Sequence, residues 1–155
     1  MTTITRTQFL PRPREEVFAF FADPRNLEAI TPPWLHFRIT DLPDGPLTPG
    51  ATIDYRLRLH GIPIRWRTLI SSFDPPYRFV DEQIRGPYRE WIHTHTFDEI
   101  DGGTRVRDDV TFRVPGGKVI ERLFVRRDVT RIFDYRAEVL EKMFAATAES
   151  STPAA

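Results

Sequence analysis

At 155 residues the chain is long enough for one domain whose core needs no staples. Its 22 basic and 22 acidic side chains leave a formal charge of zero, which removes any global electrostatic argument for binding nucleic acid. It has no cysteine, which excludes disulfides, thiolate metal sites and a cysteine nucleophile.

The amino end, Met1 to Thr7, lacks the apolar run of a signal peptide, and no apolar stretch approaches the ~20 residues of a membrane span. A cytoplasmic location without stable membrane insertion is the expectation. The 12 Phe, 4 Tyr and 3 Trp are generous for this length and imply that something large and aromatic is packed or enclosed.

Thr3 to Leu10 reads as a first strand. Arg14 to Ala22 reads as a short helix opened by Pro13, with Val17, Phe18, Phe20 and Phe21 crowding one side. Asp23-Pro24 fits an N-cap followed by Pro at the first helical position, which starts a second short helix through Ile30, and Thr31-Pro32-Pro33 stops it.

The middle of the chain alternates with period two. Ile53, Tyr55, Leu57 and Leu59 face one way, and Asp54, Arg56 and Arg58 the other. After His60-Gly61, Ile64, Trp66, Thr68 and Ile70 oppose Arg65, Arg67 and Leu69. Asp74-Pro75-Pro76 turns the chain, Tyr77 to Ile84 runs back, and Arg85-Gly86-Pro87 turns it again. Trp91, His93, His95 and Phe97 then alternate with Ile92, Thr94 and Thr96. Asp101-Gly102-Gly103 closes a hairpin whose return strand carries Val106, Asp108, Val110 and Phe112.

Past Pro115-Gly116-Gly117 the period becomes 3.6, which predicts a helix of about 25–30 residues. Its apolar stripe starts with Val119, Ile120, Leu123 and Phe124 and continues through Val129, Ile132, Phe133, Leu140, Met143 and Phe144. These elements make an α+β fold: a curved antiparallel sheet of six to seven strands, two short helices after strand 1, and a long C-terminal helix gripping the sheet. One domain over residues 1–147 is expected, with a frayed tail at 148–155. The space between sheet and helix is either filled by side chains or kept for a ligand.

The element order resembles the START/SRPBCC helix-grip superfamily. Local strings resemble it too: Phe20 to Leu27, Thr31 to Trp34, Gly86 to Phe97, Thr104 to Asp108, and Phe133-Asp134-Tyr135-Arg136. Within it the chain is similar to small bacterial ligand-binding proteins described as polyketide-cyclase-like or CDP-paratose-epimerase-like. The resemblance implies a cavity for a small hydrophobic molecule, lipid-like or aromatic. It spans activities from lipid binding to cyclisation. A nucleotide-sugar epimerase would hold NAD on a Gly-rich turn, but no GxGxxG occurs, so no cofactor is expected.

The sharpest constellation is Trp91-x-His93-x-His95-x-Phe97 facing Val106-x-Asp108-x-Val110-x-Phe112. If Asp101-Gly102 is a two-residue turn, facing residues have numbers that sum to 203, so His95 opposes Asp108 and His93 opposes Val110. Directly opposed Cβ atoms lie about 4.5–5.5 Å apart, within reach of a His–carboxylate hydrogen bond. An Asp partner would fix the imidazole tautomer and raise its pKa.

Three readings stand side by side. The pair is a satisfied polar contact that holds register, an anchor for a polar group of a bound apolar ligand, or an acid–base pair in which His95 or His93 moves a proton. A metal is not expected, because HxH without a further fixed ligand is a weak zinc signal. Candidate ligand-binding residues are Tyr55, Leu57, Trp66 and Thr68 on the first hairpin and Trp91, His93, His95 and Phe97 on the next. Asp108 and Val110 on the return strand and Phe124 and Phe133 on the helix complete the set.

His36 and His60 read as surface or rim residues. Pro43 to Pro46 and Gly61-Ile62-Pro63 read as loops that gate entry. Arg122, Arg126, Arg127, Arg131 and Arg136 give the helix a basic stripe, which is a solvated face paired with Asp128 and Glu138 or a dock for an anionic group. Arg136 is expected to pair with a carboxylate on the amino-terminal helices.

Overall fold

A computed structural model describes the backbone of residues 1–151 and the side chains of residues 1–145. The expected tail at 148–155 lies outside the fully described residues. The seven antiparallel strands are β1 (Thr2–Leu10), β2 (Arg38–Asp41), β3 (Thr52–Leu59), β4 (Ile62–Asp74), β5 (Arg78–Arg85), β6 (Glu90–Ile100) and β7 (Gly103–Arg113). They form one sheet in the order β1-β7-β6-β5-β4-β3-β2, so the first strand joins the last and β2 is left at an edge.

Two turns fix the registers that matter most. Asp101 and Gly102 both have positive φ, 46° and 77°, as a two-residue hairpin turn requires. Ile100 therefore faces Gly103, Phe97 faces Val106 and His95 faces Asp108, the register expected from the turn. His60 and Gly61 do the same for β3 and β4, with φ of 50° and 81° and Tyr55 facing Trp66.

The chain between β1 and β2 holds α1 (Arg14–Ala22) and α2 (Leu27–Ile30), separated by a tight turn at Pro24–Asn26. Asp23 caps that turn by accepting from the Arg25 amide at 3.1 Å. Val17, Phe18 and Phe21 of α1 pack with Leu10, Phe79, Phe97, Leu140 and Phe144 in the largest buried cluster.

After β7 a short turn, α3 (Lys118–Ile120), leads through a wide turn at Glu121–Val125 into α4 (Arg126–Ser151). α4 lies against β1, where Gln8 donates to the Ala137 carbonyl at 2.8 Å and Arg6 pairs with Asp134 at 2.7 Å.

The start of this helical segment departs from the expected stripe. Val119, Ile120, Leu123 and Phe124 are exposed, Phe124 by 62%. The inward position of that turn belongs instead to Glu121, whose carboxylate accepts from the Val114 amide at 3.0 Å and the Thr2 hydroxyl at 3.1 Å. The wide turn also shifts the helix phase, so the inward apolar face starts at the partly buried Val125 and is fully buried from Val129 and Phe133.

Candidate functional site

Strand alternation turns Ile53, Tyr55 and Leu57 of β3 and Trp66, Thr68 and Ile70 of β4 toward α4. Trp91, His93 and His95 of β6 share that face. Between these strands and Val129, Ile132, Phe133 and Arg136 of α4 lies a cavity of about 180 Å³. That is somewhat larger than the roughly 150 Å³ that holds a benzene ring. Leu35, Leu59 and Ile132 wall both this cavity and an outer recess of about 290 Å³ beside Trp34, His60, Asp128 and Arg131. His60 Nε2 and Asp128 Oδ2, 2.8 Å apart, tie the β3–β4 hairpin tip to the helix there, so His60 sits on the rim and Asp128 serves it rather than an arginine.

Of the residues expected on the wall, Tyr55, Leu57, Trp66 and Thr68 line the cavity, as do Trp91, His93, His95 and Phe133. Phe97 is buried in the cluster around Phe18, and Val110 is buried beside Phe112, both on the inward face but packed away from the cavity. Asp108 is buried behind the two imidazoles. Phe124 is outside the site altogether, for the reason given by Glu121 and the wide turn.

The aromatic wall is held by its polar atoms. Thr68 accepts from the Trp66 indole at 3.0 Å and shares a hydrogen bond with the Tyr55 hydroxyl at 3.0 Å. The rings of Tyr55 and Trp66 lie nearly parallel, 5.9 Å apart, and Trp91 meets Trp66 edge-on at 5.5 Å. Burial pushes the Tyr55 and Tyr88 phenols up, so both stay neutral donors.

At one end of the cavity four ionisable side chains converge. His93 Nε2 is 2.8 Å from Asp108 Oδ1, and His95 Nε2 is 2.6 Å from Asp81 Oδ2. His95 Nδ1 lies 3.2 Å from Asp108 Oδ1 without the alignment of a hydrogen bond. The two imidazoles stack at 3.7 Å, with Phe79 stacked on the outer face of His95 at 4.2 Å.

Asp81 had no place in the sequence reading. It sits on β5 directly opposite His93, a register that the longer loop between β5 and β6 does not announce. Arg136 stands over the rings of Phe21 at 5.1 Å and Phe133 at 5.6 Å, where it lowers both carboxylates through its charge, instead of pairing with an acid on α1 or α2. Its Nε is buried with no hydrogen-bond partner among the described residues.

The charges settle into a pattern. Burial opposes ionisation of Asp81 and Asp108, but the imidazoles and Arg136 outweigh it, and both carboxyls are held below their ordinary range, Asp108 well below. Burial and the neighbouring charge of His95 hold His93 down. Burial also works against the His95 cation, but two flanking carboxylates overcome it and raise its pKa. The two imidazoles are thus pushed in opposite directions, and a proton shared by the pair favours His95, between the two carboxylates, over His93. His93 donates from Nε2 to Asp108, which leaves Nδ1 as an acceptor.

Asp81, His93 and His95 also bring one potential metal-ligand atom each within 4.8 Å of one another. Two donors on one tetrahedral ion sit about 3.3 Å apart. The 2.6 Å between His95 and Asp81 is shorter, and Arg136 already supplies a second cation. The geometry is that of a hydrogen-bonded proton network.

Among the described residues no helix is long and apolar enough to cross a membrane. Comparison with curated proteins found no match. Solved structures share the fold at low identity. Protein Ms6760 from Mycobacterium smegmatis is 24% identical with a TM-score of 0.71, over 94% of this chain and 92% of that one. TTHA0849 from Thermus thermophilus is 19% identical with a TM-score of 0.69, over 97% and 100%. Ginseng major latex-like protein 151 from Panax ginseng is 12% identical with a TM-score of 0.69, over 92% and 97%. The START/SRPBCC helix-grip architecture expected from the element order is the one observed. The family model described as "Polyketide cyclase / dehydrase and lipid transport" matches residues 1–145, and the chain belongs to that family.

Proposed function

We propose that residues 1–147 form a single cytoplasmic ligand-binding domain that shelters a small hydrophobic or aromatic molecule carrying one polar group. The observation that carries this reading is the orphan Nε of Arg136, a side chain on the wall of a cavity lined mostly by aliphatic and aromatic residues. A buried donor without a partner costs roughly 1–3 kcal/mol, and a ligand oxygen at that end of the cavity removes the cost. Tyr55, Leu57, Trp66 and Trp91 supply rigid apolar walls, while His93 Nδ1 offers an acceptor to a ligand hydroxyl. Native mass spectrometry of the freshly purified protein, followed by solvent extraction, tests the reading. A bound apolar molecule of one or two rings, or a slim acyl chain, is expected. A protein that retains nothing and takes up no such molecule at millimolar concentration overturns it.

One observation favours a second reading, an enzyme of the cyclase or dehydratase kind. Two imidazoles 3.7 Å apart have their pKa values pushed in opposite directions, His95 up and His93 down, the division expected of an acid and a base acting on one substrate. In it His93 Nδ1 takes a proton from a carbon or hydroxyl of the substrate, and the Asp81–His95–Asp108 chain holds the charge. A His95→Ala or His93→Ala variant that turns over an identified substrate at the native rate removes that assignment.

A further inference from the structure

The outer face of the sheet, turned away from the cavity, carries a row of like charges with no ion-pair partner among the described residues. Arg38 on β2 faces Arg56 on β3, and Arg56 faces Arg65 on β4. Arg58 follows Arg56 by two residues on the same face. All four side chains are exposed, and among the described residues none makes an ion pair or a hydrogen bond to a carboxylate. The acids nearest along the strands are already engaged or lie further on: Asp54 is bound to Arg67 at 2.7 and 3.0 Å, and Asp41 lies opposite Asp54.

Like charges directly opposed across strands destabilise a sheet, and the usual sequence solution is to alternate signs, as Asp54 and Arg67 do one rung away. Three consecutive arginine rungs span about 10 Å at the normal strand spacing. Together with His36, Pro63 and the strand segments at Leu57 and Ile64, the four arginines line a recess of about 770 Å³. Because the chain as a whole has no net charge, the remainder is negative by the same four units, and this face stands out electrostatically.

We propose that this arginine ladder is a binding site for a compact oligophosphate, a diphosphate or triphosphate group held by the forks of Arg38, Arg56 and Arg65 with Arg58 at one end. Guanidinium forks match phosphate oxygens two at a time, and a chain of two or three phosphates carries the charge that four cations require. A single carboxylate leaves most of them uncompensated. A nucleic-acid strand calls for aromatic platforms and a longer track, and the outward positions flanking the ladder are Thr52, Asp54, Arg67 and Leu69. A lipid surface calls for several apolar side chains reaching out among the cations, and the outward positions of these rungs offer only Pro63, opposite Arg58. The site is on the opposite side of the sheet from Tyr55 and Leu57, so its fate is independent of what the cavity holds.

Isothermal titration of the full chain with inorganic tripolyphosphate tests this, at low salt and again at about 0.2 M, where screening between exposed charges is strong. Saturable binding that weakens with salt is expected. Arg56→Ala and Arg65→Ala are each expected to weaken it about ten-fold or more, the loss of a charge-assisted contact. Arg107→Ala, which removes an outward arginine already held by Asp109, is expected to leave it unchanged. Without ligand, Arg56→Thr is expected to raise the melting temperature at low salt, an effect that fades at high salt. Anionic phospholipid vesicles and a single-stranded oligonucleotide serve as the competing partners. No binding of tripolyphosphate, equal affinity in Arg56→Ala and wild type, or arginine-dependent capture of vesicles or oligonucleotide in place of tripolyphosphate would overturn the assignment.

Discussion

Asp108 lies directly across from His95 in the β6–β7 register, yet its shorter bond, at 2.8 Å, goes to His93. The neighbouring strand explains this. Asp81 on β5 draws His95 Nε2 to 2.6 Å, and Asp108 is left to bridge the two imidazoles from behind. The paired His and Asp expected from one hairpin are half of a network built from three strands.

Removing one member of that network strands the others. Asp108→Asn keeps the shape of the side chain but removes the carboxylate that faces both imidazoles and the Arg136 charge. Breaking a buried charge pair on one side costs about 3–5 kcal/mol, and a loss of that order is expected in urea unfolding with an unchanged m-value. A loss under about 1 kcal/mol would show that the four groups are not coupled.

The two histidines are expected to titrate on opposite sides of 6.5, His95 above and His93 below, when followed by NMR of the ring carbons. The stability each contributes has the opposite sign of pH dependence. For His95 the contribution is complete below 6.5 and is lost as pH rises through its raised pKa. For His93 the contribution is present above 6.5 and is lost as pH falls through its lowered pKa. For Asp81 and Asp108 it is present above 3.8 and fades as pH falls through their depressed values. Stability is therefore expected to peak near neutrality and decline on both sides. A profile flat from about pH 5 to 9 contradicts this charge assignment.

A two-ring phenol such as 2-naphthol is expected to quench the tryptophan fluorescence as it enters the cavity that Trp66 and Trp91 both line. Trp66→Leu should abolish most of that signal and weaken binding, because the wall loses both area and the indole that fixes Thr68. Arg136→Met should weaken the phenol more than it weakens naphthalene. Equal losses for both ligands would show that the guanidinium does not read the polar group.

Phe124→Ser is expected to change stability by no more than about 0.5 kcal/mol and to leave cavity binding untouched, since its ring is 62% exposed and off the wall. Phe133→Ala, further along the helix on a face that is buried, is expected to cost about 3 kcal/mol or more. Comparing the two melts checks where the inward face of the helix begins.

These contrasts also show what could be read from residue order. Strand alternation and a two-residue turn are local, so the faces of β3, β4, β6 and β7 and the His95–Asp108 register were legible from Ile53 to Phe112. Asp81 was not, because Gly86 to Arg89 forms a loop of irregular shape and no counting rule carries the register from β6 back to β5. Phe124 misled because helical periodicity gives a stripe but not its phase, and one buried acid, Glu121, reset that phase. Arg136 was noticed but given the wrong partner, since which carboxylates a helix meets depends on how it crosses the sheet. The size of the void was beyond pattern altogether. It depends on side chains from the strands, α4 and the segment around Leu35 failing to meet.

The bond between His60 and Asp128 has a bearing on how the hairpin is held. Parting that contact would free the hairpin tip from the helix beside the outer recess, where Arg131 stacks on Trp34 at 4.9 Å. Of the two ends of the β3–β4 hairpin, the tip is thus anchored to α4 by a single polar side-chain pair among the described residues, while the strands behind it are held by the full ladder of the sheet.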